Sequence, residues 1–99
     1  MTKIYLREDT PEQAFPLGTI YITCGVEARI AWAERARAIA RHAKCDWGEL
    51  DADDWQENEL SLKAGSRLLS AYRAQDGTKF WVITEADRSC TTILLPEEY

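Results

Sequence analysis

The longest periodic pattern of apolar positions in the chain lies between Val26 and Lys44. Apolar residues recur there at spacings of three and four, which places them on one face of an α-helix. Polar and charged residues fill the other faces, so the pattern predicts one amphipathic helix over residues 26–44 whose apolar stripe packs on the core. The members of that stripe are Ala28, Trp32, Ala36, Ile39 and Ala43.

A second helix is predicted from Trp55 to Ala64. The N-cap candidates, Asp51 to Asp54, stand just before it, and the side chains of these aspartates are suited to accept hydrogen bonds from the unpaired N–H groups of a first helical turn. Gly65 follows the segment and suits a left-handed C-terminal cap. The two segments together predict a protein with two helices.

Runs rich in β-branched and aromatic residues predict strands. The strongest hairpin signal is Asp76-Gly77, which separates two such runs, and Gly77 is expected to have a positive φ. If these two residues form the whole loop, Gln75 pairs with Thr78 and Tyr72 with Trp81. The predicted strands are Lys3–Leu6, Leu17–Thr23, Arg67–Arg73, Lys79–Thr84 and Thr91–Leu95.

Both faces of the predicted sheet are substantially apolar, so both require cover. We expect the helices on one face, and the N-terminal segment or a second copy in a homodimer on the other. The predicted fold is a single α+β domain over residues 1–99. It has a twisted antiparallel sheet of three C-terminal meander strands plus an N-terminal strand, with two helices packed mainly on one face. Its core is expected to bury Trp32, Ile39, Phe80, Val82 and Leu94.

Charge and cysteine content narrow the class of protein. The 99 residues carry a net charge of −5, which repels phosphate backbones and counts against nucleic-acid binding. The three cysteines and one histidine show no metal-ligand spacing, so we expect no metal, no cofactor and reduced thiols in the cytoplasm. We expect no signal peptide, and no apolar run approaches the roughly 18 residues needed to cross a membrane.

The connection between the last two predicted strands is dense in polar side chains. A tight turn needs only turn-forming residues, so the excess marks this segment as a candidate site. In a structural interpretation, Asp87 accepts hydrogen bonds from the turn and Arg88 pairs with the carboxylate of Glu85 or Glu97. In a functional interpretation, Glu85, Asp87 and Arg88 form a binding surface, in which Arg88 anchors an anion or a carbonyl group with support from Thr84 and Thr91.

A second candidate binding surface follows the long predicted helix. Asp46, Trp47 and Trp55 lie in a segment where tryptophan alternates with acidic residues. Such a segment normally caps a helix and presents a solvated acidic face. It also fits a protein-binding patch, because tryptophan is enriched at the energetically dominant positions of interfaces.

His42 is the only histidine of the chain and lies near the end of the long predicted helix. One interpretation is a protonated imidazole that interacts with the last carbonyls of the helix. The other is a general base in a metal-independent ribonuclease. In that alternative, Arg67 and Arg88 bind the phosphate and Thr84 donates a supporting hydrogen bond.

From Asp46 onward the chain resembles a family of small uncharacterised bacterial proteins of plasmids, integrative elements and prophages. The matching positions are Asp46–Gly48, Asn58, Gly65–Tyr72, Trp81–Ser89 and Thr91–Tyr99. Cys45 stands where the family has glycine. The resemblance implies a mobile-element protein of the bacterial cytoplasm and carries no activity. Taken with the acidic balance, it favours a small protein that binds another protein, in counter-defence or regulation. The toxin-like ribonuclease is the alternative.

Overall fold

A four-stranded sheet forms the centre of the structure. The computed structural model describes residues 13–99, and its strands are β1 (Thr19–Ile22), β2 (Leu68–Arg73), β3 (Lys79–Thr84) and β4 (Cys90–Leu94), in the spatial order β1-β4-β3-β2. The last three strands form the predicted antiparallel meander, whereas β1 pairs in parallel with β4. The α+β class is confirmed, and the sheet is mixed instead of purely antiparallel. The predicted strand Lys3–Leu6 lies outside the described residues.

The parallel pairing of β1 follows from the helices that connect it to β2. These are α1 (Cys24–Arg29), α2 (Trp32–Ala43) and α3 (Ala52–Ala64). A helical crossover returns the chain to the end of the sheet from which the preceding strand started. The next strand therefore runs in the same direction as β1, and β4, one strand removed from β2, shares that direction.

The single helix predicted over residues 26–44 is broken into α1 and α2. Ile30 has an extended backbone, with φ −108° and ψ 120°, which ends α1. Its side chain is buried, and its freed carbonyl accepts a hydrogen bond of 2.9 Å from Arg35 Nε. The sequence at the break contains neither glycine nor proline. The break is stabilised by the burial of Ile30 and by the hydrogen bond from Arg35.

The break changes which side of α2 faces the sheet. The extended residues between the helices uncouple the two helical registers, so α2 buries Ala38, His42 and Ala43. Ile39 is half-buried, and Trp32 is 74% exposed. The prediction that Trp32 belongs to the core is therefore wrong. Burial of Phe80, Val82 and Leu94 is confirmed.

The capping residues of α3 are as predicted. The carboxylate of Asp51 accepts from Asp54 N at 2.8 Å, and Gly65 is left-handed with φ 76°. The helix begins at Ala52, three residues earlier than expected. It lies along the outer edge of β2, where the amide of Asn58 bonds both N–H and C=O of Leu69.

The hairpin between β2 and β3 forms at the predicted place with a different register. Tyr72 pairs with Phe80, one position from the predicted partner Trp81. The loop has three residues, closed by hydrogen bonds from Ala74 N to Thr78 O (2.8 Å) and from Gly77 N to Ala74 O (2.9 Å). A three-residue loop with glycine at its left-handed last position is a standard alternative to the two-residue turn. The predicted cross-strand pairs are wrong, because the extra loop residue shifts every pair by one.

Candidate functional site

A chain of buried side-chain hydrogen bonds links α2 to the sheet. His42 Nδ1 lies 2.5 Å from Ser70 Oγ, and its Nε2 lies 2.9 Å from Thr84 Oγ1. The Thr84 hydroxyl lies 2.7 Å from Thr91 Oγ1, which donates to Leu17 O at 2.7 Å. The side chains of these four polar residues are fully buried. This chain of hydrogen bonds therefore joins α2, β2, β3, β4 and the segment before β1.

The donor and the acceptor of every hydrogen bond in this series follow from its last member, the carbonyl oxygen of Leu17. A carbonyl oxygen can only accept, so the Thr91 hydroxyl proton is committed to Leu17 O. Thr84 must then donate to Thr91, and His42 Nε2–H must donate to Thr84. The remaining nitrogen, Nδ1, accepts from Ser70. All polar hydrogens of the chain are thus satisfied when His42 is a neutral Nε2–H tautomer.

The surroundings of His42 oppose its protonation. Burial is the main cause that lowers the pKa of His42 to about 3, and the positive charge of Arg88 lowers it further. Aromatic rings enclose the imidazole: the ring centroids of Phe15 and Trp47 lie at 5.3 and 5.5 Å. The interpretation of His42 as a protonated helix-terminal group is therefore wrong.

The residues of the ribonuclease alternative do not meet at an open surface. His42 and Thr84 are buried and committed to each other. Arg67 lies outside the core, where it donates to Tyr99 Oη at 2.5 Å and stacks on that ring with 5.4 Å between its Cζ and the centroid. Arg88 is held by main-chain carbonyls. The geometry gives a phosphodiester no access to the imidazole.

Arg88 fixes the turn before β4. Its backbone is left-handed, with φ 60°, and its Nη1 lies 2.7 Å from Ser66 O, 3.1 Å from Glu85 O and 3.4 Å from Ala86 O. The guanidinium also lies over the ring of Phe15. The prediction that Arg88 pairs with the carboxylate of Glu85 or Glu97 is wrong, since its acceptors are main-chain oxygens. Arg88 thereby connects this turn to the start of β2.

The other residues of the polar segment occupy separate positions. Asp87 is exposed and accepts from Ser89 N at 2.9 Å, as predicted for a turn residue. The backbone of Glu85 closes the turn through its N–H to Cys90 O at 3.0 Å. The side chain of Thr84 is buried in the core. The segment is therefore divided between a turn and the buried hydrogen-bond chain, and its three candidate binding residues have separate roles in the turn.

The three residues of the candidate patch of tryptophans and acids differ in exposure. Trp47 is fully buried and donates from Nε1 to Glu59 Oε2 at 2.8 Å. Trp55 is half-buried and packs against the core cluster of Phe15, Trp47 and Leu68. Asp46 accepts two hydrogen bonds from Arg41, at 2.7 and 3.2 Å, and this contact lowers the pKa of Asp46. Trp47 thus has no surface to offer a partner, which corrects its assignment as a binding residue.

An apolar groove that the sequence pattern did not reveal lies between β1 and α2. It encloses about 330 Å³. Three of its lining side chains are unusually exposed for their type: Ile20 by 46%, Ile22 by 38% and Trp32 by 74%. Exposed apolar surface that is contiguous marks interaction sites. We call this feature the β1–α2 groove; its apolar lining is Ile20, Ile22, Trp32, Ala36, Ile39 and Ile93.

The two edge strands of the sheet differ in how their outer backbone groups are paired. At the β2 edge, Asn58 pairs with Leu69, and the backbone of Trp47 and Glu49 pairs with Ala71 at 3.1 and 2.7 Å. At the other edge, β1 is the last strand of the sheet within residues 13–99. An uncovered edge strand presents a row of N–H and C=O groups to a partner.

Among residues 13–99, one cation, Arg35, lines the β1–α2 groove. Arg35 uses Nε for the hydrogen bond to Ile30 O. Its two terminal NH2 groups have no hydrogen-bond partner among residues 13–99. The groove therefore combines apolar walls, a guanidinium and a strand edge that no other strand covers within residues 13–99.

A larger cavity, of about 400 Å³, lies between α3 and the sheet. Leu69 and Trp81 form part of its floor, with Asp54 and Glu57 on the helix side and Arg67 opposite. Its buried amide, Asn58, is already committed to β2. Of the predicted site residues, this cavity contains Arg67 alone.

Within residues 13–99, no three His, Cys, Asp or Glu side chains come together in a way that could hold a metal ion. None of the helices in that part of the chain has both the length and the apolar character required to cross a bilayer. Comparison of the chain with known protein families, with curated proteins and with solved structures finds no match.

Proposed function

We propose that the protein acts by binding another protein, and that the β1–α2 groove is the binding surface. The observation that carries this proposal is the 74% exposure of Trp32 beside the exposed side chains of Ile20 and Ile22. Tryptophan supplies a large share of binding energy at interfaces when a partner buries it. A tryptophan left in water next to two isoleucines is costly for a free monomer, and a partner would remove that cost.

The charge of the chain supports a protein partner over a nucleic acid. Nucleic-acid binding depends on many Lys and Arg side chains that neutralise phosphates, whereas this chain has a net charge of −5. The groove itself is mostly apolar and carries one arginine. Such a surface suits a partner whose contact region is apolar with a small number of carboxylates.

The resemblance to mobile-element proteins supports a setting for this activity. We infer a protein of the bacterial cytoplasm that is encoded on a plasmid, integrative element or prophage. In that setting it would bind a host protein or an element-encoded protein, in counter-defence or regulation. The binding surface and the setting are separate parts of the proposal, because the first depends on the groove and the second on the sequence resemblance.

A capture experiment with matched variants tests the binding surface. Wild-type protein, Trp32→Ala and Leu60→Ala are immobilised and exposed to the same bacterial lysate. Leu60 is the control because it is also an exposed large apolar side chain, at 54%, but lies on α3. We expect a captured protein that Leu60→Ala retains and Trp32→Ala loses. Equal capture by all three baits would contradict the proposal.

Stability measurements accompany the capture. Because Trp32 is exposed, Trp32→Ala should change the free energy of unfolding by no more than about 0.5 kcal/mol. Loss of capture is then a loss of contact surface and not of folding. Sedimentation of the purified chain identifies the homodimer: if Trp32→Ala dissociates a wild-type dimer, the groove is a contact between two copies and the proposal of a different partner fails.

A further inference from the structure

We propose that the β1–α2 groove receives an extended segment of the partner, which adds as a further strand to the outer edge of β1, the last strand of the sheet within residues 13–99, and places a carboxylate beside Arg35. This inference rests on the proposed function and specifies its binding mode and the chemistry of the partner.

The backbone of β1 is oriented for strand addition. Thr19 N donates to Ser89 O at 3.0 Å and Thr23 N donates to Ile93 O at 3.1 Å, so these odd-numbered residues direct their N–H groups to β4. Successive residues of a strand direct their N–H and C=O groups to opposite sides. The backbone groups of Ile20 and Ile22 therefore point away from the sheet. They offer two donors and two acceptors to an incoming strand.

The side chains beside this edge favour a partner segment whose apolar residues occupy alternate positions. Ile20 and Ile22 stand on the face of β1 that is turned to α2, and the Trp32 ring closes the groove from the helix. An added strand presents every second side chain to that face. Apolar side chains at alternate positions of the partner segment would fill the groove, while the intervening positions remain in solvent.

Arg35 selects for an acidic segment and against a second copy of the chain. Its side chain lines a mostly apolar groove, where a carboxylate is the matching partner for a guanidinium. In a twofold dimer β1 would pair with β1, whose four residues, Thr19–Ile22, include no acid. A second copy paired in this way would supply no carboxylate from its β1 to Arg35. The charges of the groove therefore favour a different protein with an acidic and apolar extended segment.

A display experiment finds the segment without knowledge of the natural partner. A random library of twelve-residue peptides is selected on the full-length protein, and binders of Trp32→Ala are removed. We expect the enriched peptides to carry apolar residues at alternate positions with Asp or Glu near them. Enriched peptides that are basic, or that show apolar residues at spacings of three and four as a helix would, overturn the inference.

Backbone modification of the best peptide tests strand addition directly. N-methylation of two nitrogens on the edge that pairs with β1 removes hydrogen bonds and keeps the side chains. It should weaken binding about tenfold or more, whereas methylation of the two adjacent nitrogens should not. Equal effects of the two patterns would overturn the strand mode.

Amide hydrogen exchange in the full-length protein identifies what occupies the edge. The Ile20 and Ile22 amides should exchange fast in the free protein and become protected when the peptide binds, while the Thr23 amide is protected throughout. Protection of Ile20 and Ile22 without peptide would overturn the inference. If that protection rises with protein concentration, a second copy fills the edge; if not, the chain itself does.

The two proposals fail in different ways. If Trp32→Ala keeps every captured protein, the proposed function fails and the strand mode with it. If Trp32→Ala loses the partner while both N-methylated peptides bind equally, protein binding stands and strand addition is wrong.

Discussion

His42 and Thr84 are joined by a hydrogen bond of 2.9 Å between Nε2 and Oγ1, and both side chains are completely buried. Their contact attaches α2 to the end of β3, and the chain of hydrogen bonds continues to Ser70 on one side and Thr91 on the other. A buried polar chain of this kind stabilises the fold only when every member is satisfied. Removal of a single hydroxyl should therefore affect the whole connection between helix and sheet.

Replacing Thr84 with Val tests this connection. Valine has nearly the shape of threonine, so packing is kept while the acceptor for His42 Nε2–H is lost. We expect the free energy of unfolding to fall by about 1–3 kcal/mol, the cost of an unsatisfied buried donor. Thr92→Val is the matched control, because Thr92 is half-buried on the same sheet and takes no part in the chain. Equal effects of the two substitutions, measured by urea unfolding, would contradict the assigned role.

The depressed pKa of His42 predicts a loss of stability in mild acid. In the unfolded chain the imidazole has an ordinary pKa of about 6.5, whereas in the folded protein the pKa is about 3. Between these values the unfolded state binds a proton that the folded state does not. Stability from this group is complete above about pH 7 and falls with decreasing pH, by about 2 kcal/mol between pH 7 and pH 5.

Two measurements check the pH dependence. Urea unfolding at pH 7 and pH 5 should show the loss in the wild-type protein and a much smaller one in His42→Gln, which has no titrating ring. The NMR signals of the His42 ring should not titrate between pH 7 and pH 4.5 in the folded state. An imidazole that titrates near pH 6.5 would show that it is not enclosed as described.

The sequence predicted those features that depend on local chemistry. The caps of α3 at Asp51 and Gly65 and the left-handed Gly77 follow from the conformational preferences of single residues, and all three are present. The break at Ile30 and the exposure of Trp32 were missed for a common reason. Burial of Ile30 is a tertiary effect, and an uninterrupted run of helix-forming residues gives no sign of it.

The candidate sites also divide into features that have a local sequence signal and features that depend on tertiary structure. Sequence reasoning found the polar turn at Asp87 and Arg88, because its density of polar residues is a local property. It could not tell that Trp47 is buried while Trp32 is exposed, since Trp32 lies on the apolar stripe of a predicted helix and Trp47 stands among acidic residues. The β1–α2 groove exists only through the parallel pairing of β1 beside a helix that begins after a break. Neither feature has a signal in residue order.

Arg88 should contribute to stability, in agreement with its structural interpretation. Arg88→Ala removes the hydrogen bonds to Ser66 O and Glu85 O and should lower the free energy of unfolding by about 1–2 kcal/mol. Arg88→Gly loses the same bonds but relieves the left-handed backbone, with φ 60°, so it should be less destabilising than Arg88→Ala. Thermal unfolding of the two variants tests the order. A neutral Arg88→Ala would show that the turn does not depend on the guanidinium.

A pair of glycine substitutions should separate backbone strain from the close contact at the β2 edge. Gly48 and Gly65 are both left-handed, with φ 78° and 76°. A Cβ at Gly65 would meet nothing within 4 Å, whereas at Gly48 it would overlap with the carbonyl oxygen of Ala71. Gly65→Ala should therefore cost about 1–2 kcal/mol from its backbone conformation alone. Gly48→Ala should cost about 3 kcal/mol or more, because the clash adds to the strain and displaces the segment that covers β2. Hydrogen exchange at the Ala71 amide, which donates to Trp47 O, should accelerate in Gly48→Ala and not in Gly65→Ala. Equal costs for the two variants would mean that the segment around Gly48 does not hold the edge of β2.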